Sequence, residues 1–347
     1  MAKQKLLLVD GSSLAFRAFF SILDLNRFKN SNGLHTNALY SFHRMFKSIL
    51  DSEKPTHVLV AWDAGKTTFR TEMYADYKGG RSKTPGEFIE QMPYFNVLLD
   101  AWGIPHYRLN QYEADDIIGT LARKGEEAGY EVVVLSGDKD LIQLADNNIT
   151  VKITTKGVTE LVEYTPEVIF EKYGLTPEQI IDMKGLMGDS SDNYPGVTKV
   201  GEKTAVKLLQ EFGSVEGIYE HVDEMKKSKL KENLINDKEL AFLSKKLARI
   251  NVESPIEITL EDTLRKEQDV DALMSFYKEM NFNSFQSDLL NSGGATVEEA
   301  PKAERPTVKR VAQISDNMLK SATSVHFETL EANYHVAEVI AVAFGNE

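Results

Sequence analysis

The chain has 347 residues, 42% of them hydrophobic, no cysteine and a formal charge of −13, so it can bury a sizeable core in one large domain or two. Without cysteine it can have no disulfide framework, thiolate zinc centre or cysteine nucleophile, which suits a reducing cytoplasm. The opening MAKQKLLLVDG reaches an aspartate too early for a secretory signal, and no run approaches the ~18 apolar residues of a membrane span.

The first element is an apolar run, Leu6 to Val9, that ends on Asp10. Helical periodicity follows over 36–51, and a second apolar run, Val58 to Trp62, ends on Asp63. Residues 65–83 (GKTTFRTEMYADYKGGRSK) set five bases against two acids with Tyr74 and Tyr77 interleaved. That mixture suits phosphate contact with base stacking on single-stranded DNA, although a solvated loop of mixed charge would read alike. Helical patterns over 86–102 and 114–128 bracket Tyr112-Glu113-Ala114-Asp115-Asp116, and a third apolar run, Val132 to Leu135, leads into Ser136-Gly137-Asp138-Lys139-Asp140. The alternation predicts an α/β domain with a parallel sheet, in which ligands sit beyond the carboxyl ends of the strands.

From about 165 to 285 helix patterns dominate. Thr165-Pro166-Glu167 and Thr176-Pro177-Glu178 have the cap, first-turn proline and first-turn acid of helix starts. Gly188-Asp189-Ser190-Ser191-Asp192 adds two acids, and Gly196 to Thr204 is a glycine-bracketed turn before a helix start near Glu202, with Lys199, Lys203 and Lys207 beside it. Backbone amides at such a turn can hold a phosphate without reading sequence. The segment is not a Walker A loop, because Glu202 precedes Lys203-Thr204 and no strand comes before it. Lys226, Lys227, Lys229 and Lys231 read more simply as a solvated helix face. Residues 291–309 have the composition of a flexible linker. Two short strand patterns follow, over 324–327 and 339–344, too little for a core of their own.

Each acid alone has an ordinary explanation, as a helix-dipole partner or a turn residue. As a set, Asp10, Asp63, Glu113, Asp115, Asp116, Asp138, Asp140, Asp189 and Asp192 recur where the sheet would gather them. Carboxylates brought together repel unless cations neutralise them, and hard oxygen donors without Cys or clustered His select Mg²⁺ or Mn²⁺. Two such ions are the equipment of phosphodiester hydrolysis. The negative charge then no longer argues against DNA, since part of it belongs to the metal site. A non-catalytic DNA-binding scaffold of the same fold would lack some of these acids. An aspartyl-phosphate phosphotransferase would want D-x-D at the first strand, where Asp10-Gly11-Ser12 stands.

LLLVDGSSLAFRAFF, VAWDAGKTTFR, YADYKGGR, YEADDIIGTLA, VVVLSGDKDLIQL and GLMGDSSDNYPGVTKVGEKTA resemble, in order, the motifs of the 5′-nuclease domain of bacterial DNA polymerase I, within the flap-endonuclease family. The resemblance covers about 1–290. It implies a PIN-like catalytic domain over 1–165 with a helical arch near 65–105, then a helical region over 166–290 whose helix-hairpin-helix motif spans 196–207. A linker over 291–310 and the truncated start of a 3′–5′ exonuclease-like domain over 311–347 would follow. There the expected D-x-E is replaced by Phe327-Glu328-Thr329-Leu330, which argues against proofreading, and no polymerase domain is present.

By the same resemblance the nine acids would hold metals directly or through water. Lys78, Arg81 and Arg17 would act on the scissile phosphate. The resemblance makes Gly196, Val197, Lys199, Gly201, Lys203 and Thr204 the DNA-gripping hairpin, which would also carry K⁺, while the basic segment 65–83 itself offers Arg70, Tyr74, Tyr77 and Lys83 as DNA contacts. The implied substrate is 5′-flap, nicked or gapped duplex DNA in Okazaki-fragment maturation and repair. The implied setting is a cytoplasmic, nucleoid-associated monomer joined to polymerase domains.

Overall fold

The computed structural model describes residues 4–65, 67–155 and 160–291, together with the backbone of two strands at 324–329 and 339–345. Lys66, the expected linker beyond residue 291 and the remainder of 311–347 lie outside the described residues, as do the side chains of the two late strands.

Three hydrophobic runs form the centre of a six-stranded sheet. In chain order its strands are β1 (Lys5–Asp10), β2 (His57–Trp62), β3 (His106–Arg108), β4 (Glu131–Ser136), β5 (Ile149–Thr154) and β6 (Leu161–Tyr164), and they lie side by side in the order β3-β2-β1-β4-β5-β6. The pairs from β3 across to β5 are parallel, and β6 closes the edge antiparallel to β5. Leu6 to Val9 and Val58 to Ala61 are buried on both faces, which is why these strands read as unbroken apolar runs. The register sets Asp10 beside Ala61 and Val9 beside Leu135, so β1, β2 and β4 end at one level.

The helices between the strands are α1 (Gly11–Phe20), α2 (Asn37–Glu53), α3 (Phe69–Met73), α4 (Gly86–Ile89), α5 (Met92–Ala101) and α6 (Ala114–Glu127). The single helix expected over 86–102 is divided into α4 and α5. Gln91, fully buried between them, turns its amide onto the start of α2: Oε1 accepts from Ala38 N at 2.9 Å and Nε2 donates to Asn37 Oδ1 at 3.0 Å. The side chain thus caps another helix, and Pro93 opens α5. The segment expected as a helical arch near 65–105 has the short helices α3 and α4, with turns and irregular backbone between them, and then α5.

Beyond the sheet come α7 (Pro166–Tyr173), α8 (Pro177–Met187), α9 (Glu202–Phe212), α10 (Val215–His221), α11 (Lys229–Asn236), α12 (Lys238–Ala248), α13 (Val270–Glu279) and α14 (Asn283–Asn291). Thr165 and Thr176 cap α7 and α8 as expected, the latter in a reciprocal capping box with Gln179. The helical region has no separate core. Ile169, Leu186, Leu208 and Leu234 share one hydrophobic cluster with Leu6, Leu8 and Val134, while Phe276 and Phe285 join Leu7, Val58 and Phe42 in the other. One compact unit therefore runs from the start of the chain through residue 295. In the second unit, β7 (Ser324–Thr329) and β8 (Val339–Gly345) pair antiparallel. No helix among the described residues is long and apolar enough to cross a membrane.

Candidate active site

Asp10 is the last residue of β1, Asp63 follows β2 directly, and Asp138 stands two residues past β4. Hydroxyls bind these strand ends together. Ser12 Oγ accepts from Asp63 N at 3.0 Å, Ser13 Oγ accepts from Gly137 N at 3.0 Å, and Ser136 Oγ donates to Asp10 Oδ2 at 2.6 Å. Asp10 Oδ1 also caps α1 through Ser13 N at 2.9 Å, and Asp63 Oδ1 caps α6 through Ala114 N at 2.9 Å. That second bond aims the acidic start of α6 at the same sheet edge. Gly11 has no room for a side chain, since a Cβ there would lie 2.6 Å from Val60 Cγ1.

The acids fall into two groups. In the first, burial and then the charge of Asp63 raise Asp10 to about 7. Burial and the charges of Asp10, Asp138 and Glu113 raise Asp115 well above the usual carboxylate range. Glu113 is raised by burial but held back by Lys78 and Arg70. In the second group Lys184 Nζ stands 2.5 Å from Asp140 Oδ1 and 2.5 Å from Asp189 Oδ2. Burial and Asp138 raise Asp140 to about 7, whereas at Asp189 the bonds from Lys184 and Ser191 outweigh burial and hold it at about 2. Asp140, expected among the strand-end acids, is thus joined through Lys184 to Asp189.

The segment after α3 is docked on these acids. Lys78 Nζ lies 2.9 Å from Glu113 Oε2 and 3.9 Å from Asp192 Oδ2, and Arg81 Nη2 lies 2.6 Å from Asp192 Oδ1. Lys78 N donates to Asp192 O at 2.8 Å, and Asn193 Nδ2 to Asp76 O at 2.7 Å. Arg17 donates to the carbonyl oxygens of Thr154 and Thr155 at 2.8 and 3.0 Å. Carbonyls leave its full charge available to an anion, and its Nε is within 3.7 Å of where a Cβ on Gly137 would sit.

Four expected site residues, Asp116, Arg70, Tyr77 and Val197, are placed away from a metal or DNA contact. Asp116 is fully buried and its oxygens are taken by Arg70, by Glu113 N at 3.1 Å and by Asn251 N at 2.9 Å, so neither it nor the equally buried Arg70 is presented to a metal or to DNA. Tyr77 is 5% exposed, its hydroxyl is bonded to Asp192 at 3.0 Å and Glu113 at 3.3 Å, and its ring lies in a third, small hydrophobic cluster with Ile181, Tyr194, Leu247 and Ala248, so its face is not open to a base; Tyr74 is partly buried against that cluster. Val197 is a core residue whose N–H donates to Leu186 O.

At the hairpin, Gly196 (φ 61°) lies so close to Gly188 and Met187 backbone that any Cβ would collide. Asp237 Oδ2 accepts from Thr198 N and Asn233 Nδ2 donates to Thr198 O, both at 2.8 Å. Lys199, Gly201 and Lys203 are exposed, Thr204 is half-buried, and Lys83 is exposed on the arch segment. Sequence reasoning missed Ser12, Ser13, Ser136, Lys184 and Tyr194. The only available signal was that they adjoin the acids in the chain or, for Lys184, fall about one helical turn before Asp189.

Among the described residues no three acidic or imidazole side chains already stand in the spacing of a formed metal centre. The donor set nevertheless fits hard divalent cations: it is all carboxylate, mutually repelling, buried at Asp10, Glu113 and Asp192 and more open at Asp63, Asp115, Asp138, Asp140 and Asp189, and neutralised only in part by Lys78, Arg81 and Lys184. A parallel sheet that gathers such acids at its carboxyl edge, with cationic side chains at the rim, has the equipment of a phosphodiester-cleaving enzyme.

The sequence comparisons identify the class. The family model described as 5′-3′ exonuclease, N-terminal resolvase-like domain, matches residues 5–174, and that of the 5′-3′ exonuclease, C-terminal SAM fold, matches 175–271. The chain belongs to the 5′-3′ exonuclease family. It is 56% identical over 348 residues to DNA polymerase I of Lactococcus lactis subsp. cremoris, covering 99% of this chain and 40% of that protein. With DNA polymerase I of Bacillus caldotenax the identity is 50% over 345 residues, covering 99% and 39%. The chain therefore spans about two fifths of the length of these relatives. Among solved structures, the bacteriophage T5 D15 flap endonuclease in a pseudo-enzyme–product complex with DNA and metal ions matches with a TM-score of 0.60 and 24% identity, over 83% of this chain and 98% of that one. The catalytic core of Rad2 with DNA substrate matches with a TM-score of 0.55 and 18% identity, over 84% and 92%. At these identities the two structures show the shared fold.

Proposed function

We propose that this chain is a structure-specific 5′-nuclease that hydrolyses phosphodiester bonds of 5′-flap, nicked or gapped duplex DNA, as one part of a longer polymerase. Its cofactors in this reading are two divalent cations, Mg²⁺ or Mn²⁺, with K⁺ on the hairpin carbonyls. The observation that carries it is the convergence of Asp10, Asp63, Glu113, Asp115 and Asp138 at one sheet edge beside a second group of Asp140, Asp189 and Asp192. When bound, the divalent cations would supply charge neutralisation at the scissile phosphate and activation of the attacking water. The structures of the T5 D15 protein with metal ions and of Rad2 with DNA support the reading by fold.

The chain's own residues have distinct parts in it. Arg17, anchored on carbonyls, and Lys78 and Arg81, anchored on acids, line the rim with positive charge that a phosphate can engage. Ser12, Ser13 and Ser136 fix the strand ends, so the acids cannot drift apart under their own repulsion. Lys199, Lys203 and Lys207 around the Gly196–Thr204 turn would hold the duplex phosphates at some distance from the cut.

A labelled 5′-flap duplex, incubated with the protein and Mg²⁺ or Mn²⁺, should be cut near the junction. Excess EDTA, Asp138→Ala or Asp189→Ala should each abolish or strongly reduce cleavage. Cutting that persists in EDTA would remove the metal mechanism, and binding without cutting under all conditions would make the chain a scaffold.

A further inference from the structure

Tyr194 is 4% exposed, yet its hydroxyl has no hydrogen-bond partner among the described residues. Its backbone is tied to Asp189 by a reciprocal pair of hydrogen bonds, both 3.0 Å, and its ring lies nearly parallel to that of Tyr77 at 6.4 Å. Ile181, Leu247 and Ala248 complete its apolar surroundings. Burial, and then the charges of Asp140, Asp189, Asp192 and Asp138, push the hydroxyl above the usual tyrosine range. A buried hydroxyl left unpaired costs about 1–3 kcal/mol, and a phenylalanine would fill the same space without that cost. The residue beside Asp189 and two past Asp192 thus carries a buried hydroxyl that nothing among the described residues bonds.

In that group the counter-charge is now an amino-acid cation. Lys184 occupies both Asp140 and Asp189, so those two carboxylates are spoken for as long as it stays. Asp192 is occupied in turn by Arg81 and Tyr77. A divalent cation entering this group would take the place of Lys184, and the carboxylate oxygens it did not ligate would lose the lysine's N–H donors. We propose that Tyr194 is a positioning residue for that cation: its hydroxyl is the donor that completes the group of Asp140, Asp189 and Asp192 once Lys184 gives way. Groups of this kind, one step removed from the metal, fix the orientation and basicity of its ligands. The inference rests on the proposed function, because it needs a cation at these acids.

The test is calorimetric titration of the full chain with Mn²⁺ in the absence of DNA, for wild type, Tyr194→Phe, Asp189→Asn and the double variant. Thermal melts serve as the check on folding. Tyr194→Phe should weaken one class of Mn²⁺ site about tenfold, leave the other unchanged, and leave the cation-free melting midpoint unchanged or raised. Asp189→Asn should remove that same class, and Tyr194→Phe should have no further effect in its background. Wild-type Mn²⁺ affinities in a folded Tyr194→Phe protein would overturn this inference alone. A wild-type chain that binds no Mn²⁺ would overturn the proposed function with it.

Discussion

Arg70 grips Asp116 with two parallel hydrogen bonds of 2.8 Å, and both side chains are almost completely shielded from solvent. The guanidinium goes further, donating to the carbonyl oxygens of Leu247 at 3.0 Å and Arg249 at 2.9 Å. One ion pair thus joins α3, the start of α6 and the carboxyl end of α12. Removing one partner of such a pair strands a buried charge, which costs about 3–5 kcal/mol. Arg70→Ala and Asp116→Ala should each lower unfolding stability in urea by that order, and Arg70→Lys should restore little of it, lacking the planar fork. Mn²⁺ affinity of whatever protein remains folded should be nearly unchanged in Asp116→Asn. A selective loss of Mn²⁺ binding with stability intact would return Asp116 to the metal ligands.

Lys78 sits differently. Its ammonium reaches Glu113 and Asp192 from the rim and is about one quarter exposed. A duplex spread over the hairpin lysines has many other phosphate contacts, whereas few cationic groups adjoin the acids. Lys78→Ala should therefore slow flap cleavage at saturating DNA by about a hundredfold or more while weakening DNA binding only slightly. Single-turnover cleavage and fluorescence anisotropy separate the two effects, and equal losses in both would make Lys78 a binding contact only.

The positions of Asp10, Asp63 and Asp138 were legible in the sequence because parallel strands buried on both faces are unbroken apolar runs, and such runs stop where the sheet edge begins. The start of α6 was legible for a similar reason: acids in a first turn, followed by Ile117, Ile118 and Leu121, mark the end and the buried face of a helix together. What spacing cannot show is a partner far away in the chain. Asp116 looks like its neighbour Asp115 until Arg70, 46 residues earlier, is seen to occupy it. Tyr77 was misread for the same reason, since an aromatic with a polar tip is common on surfaces. Lys184 carried no mark beyond its nearness to Asp189 in the chain: it lies within α8, and its role depends on a fold that brings Asp140 to it.

The crowding of acids has a consequence for stability. Asp10 and Asp140 are raised to about 7 in the folded protein, from an ordinary value of 3.8. Between those limits the folded state holds more protons than the unfolded one, so their contribution to stability falls as pH rises from about 4 to about 7. A bound divalent cation reverses the penalty by replacing the protons. Mg²⁺ should accordingly raise the melting midpoint more at pH 8 than at pH 5.5, as followed by scanning calorimetry in EDTA and in millimolar Mg²⁺. Equal Mg²⁺ shifts at the two pH values would show that the acids do not compete between protons and metal.

At the other end of the molecule, Glu53 closes α2 between two lysines of the sheet, with Lys152 Nζ at 2.7 Å and Lys5 Nζ at 3.0 Å. Each lysine has a further acid, Glu163 at 2.6 Å and Glu131 at 2.8 Å, so the five side chains form one network across β1, β4, β5 and β6. Burial opposes the charge on Glu53, but the bonds from Lys152 and Lys5 outweigh it and hold the carboxyl below its usual value. A depressed carboxyl stabilises the fold above its unfolded pKa and ceases to do so as pH falls through its folded one. Glu53→Gln should thus cost about 1 kcal/mol at pH 7, a modest figure because solvent screens the pair. That cost should begin to shrink as pH falls through the ordinary glutamate value of about 4.3, and go on shrinking towards the depressed folded value. Urea unfolding of both proteins from pH 7 to pH 3.5 gives the comparison. A penalty of constant size across that range would mean that Glu53 acts through its shape and hydrogen bonds, with its charge contributing nothing.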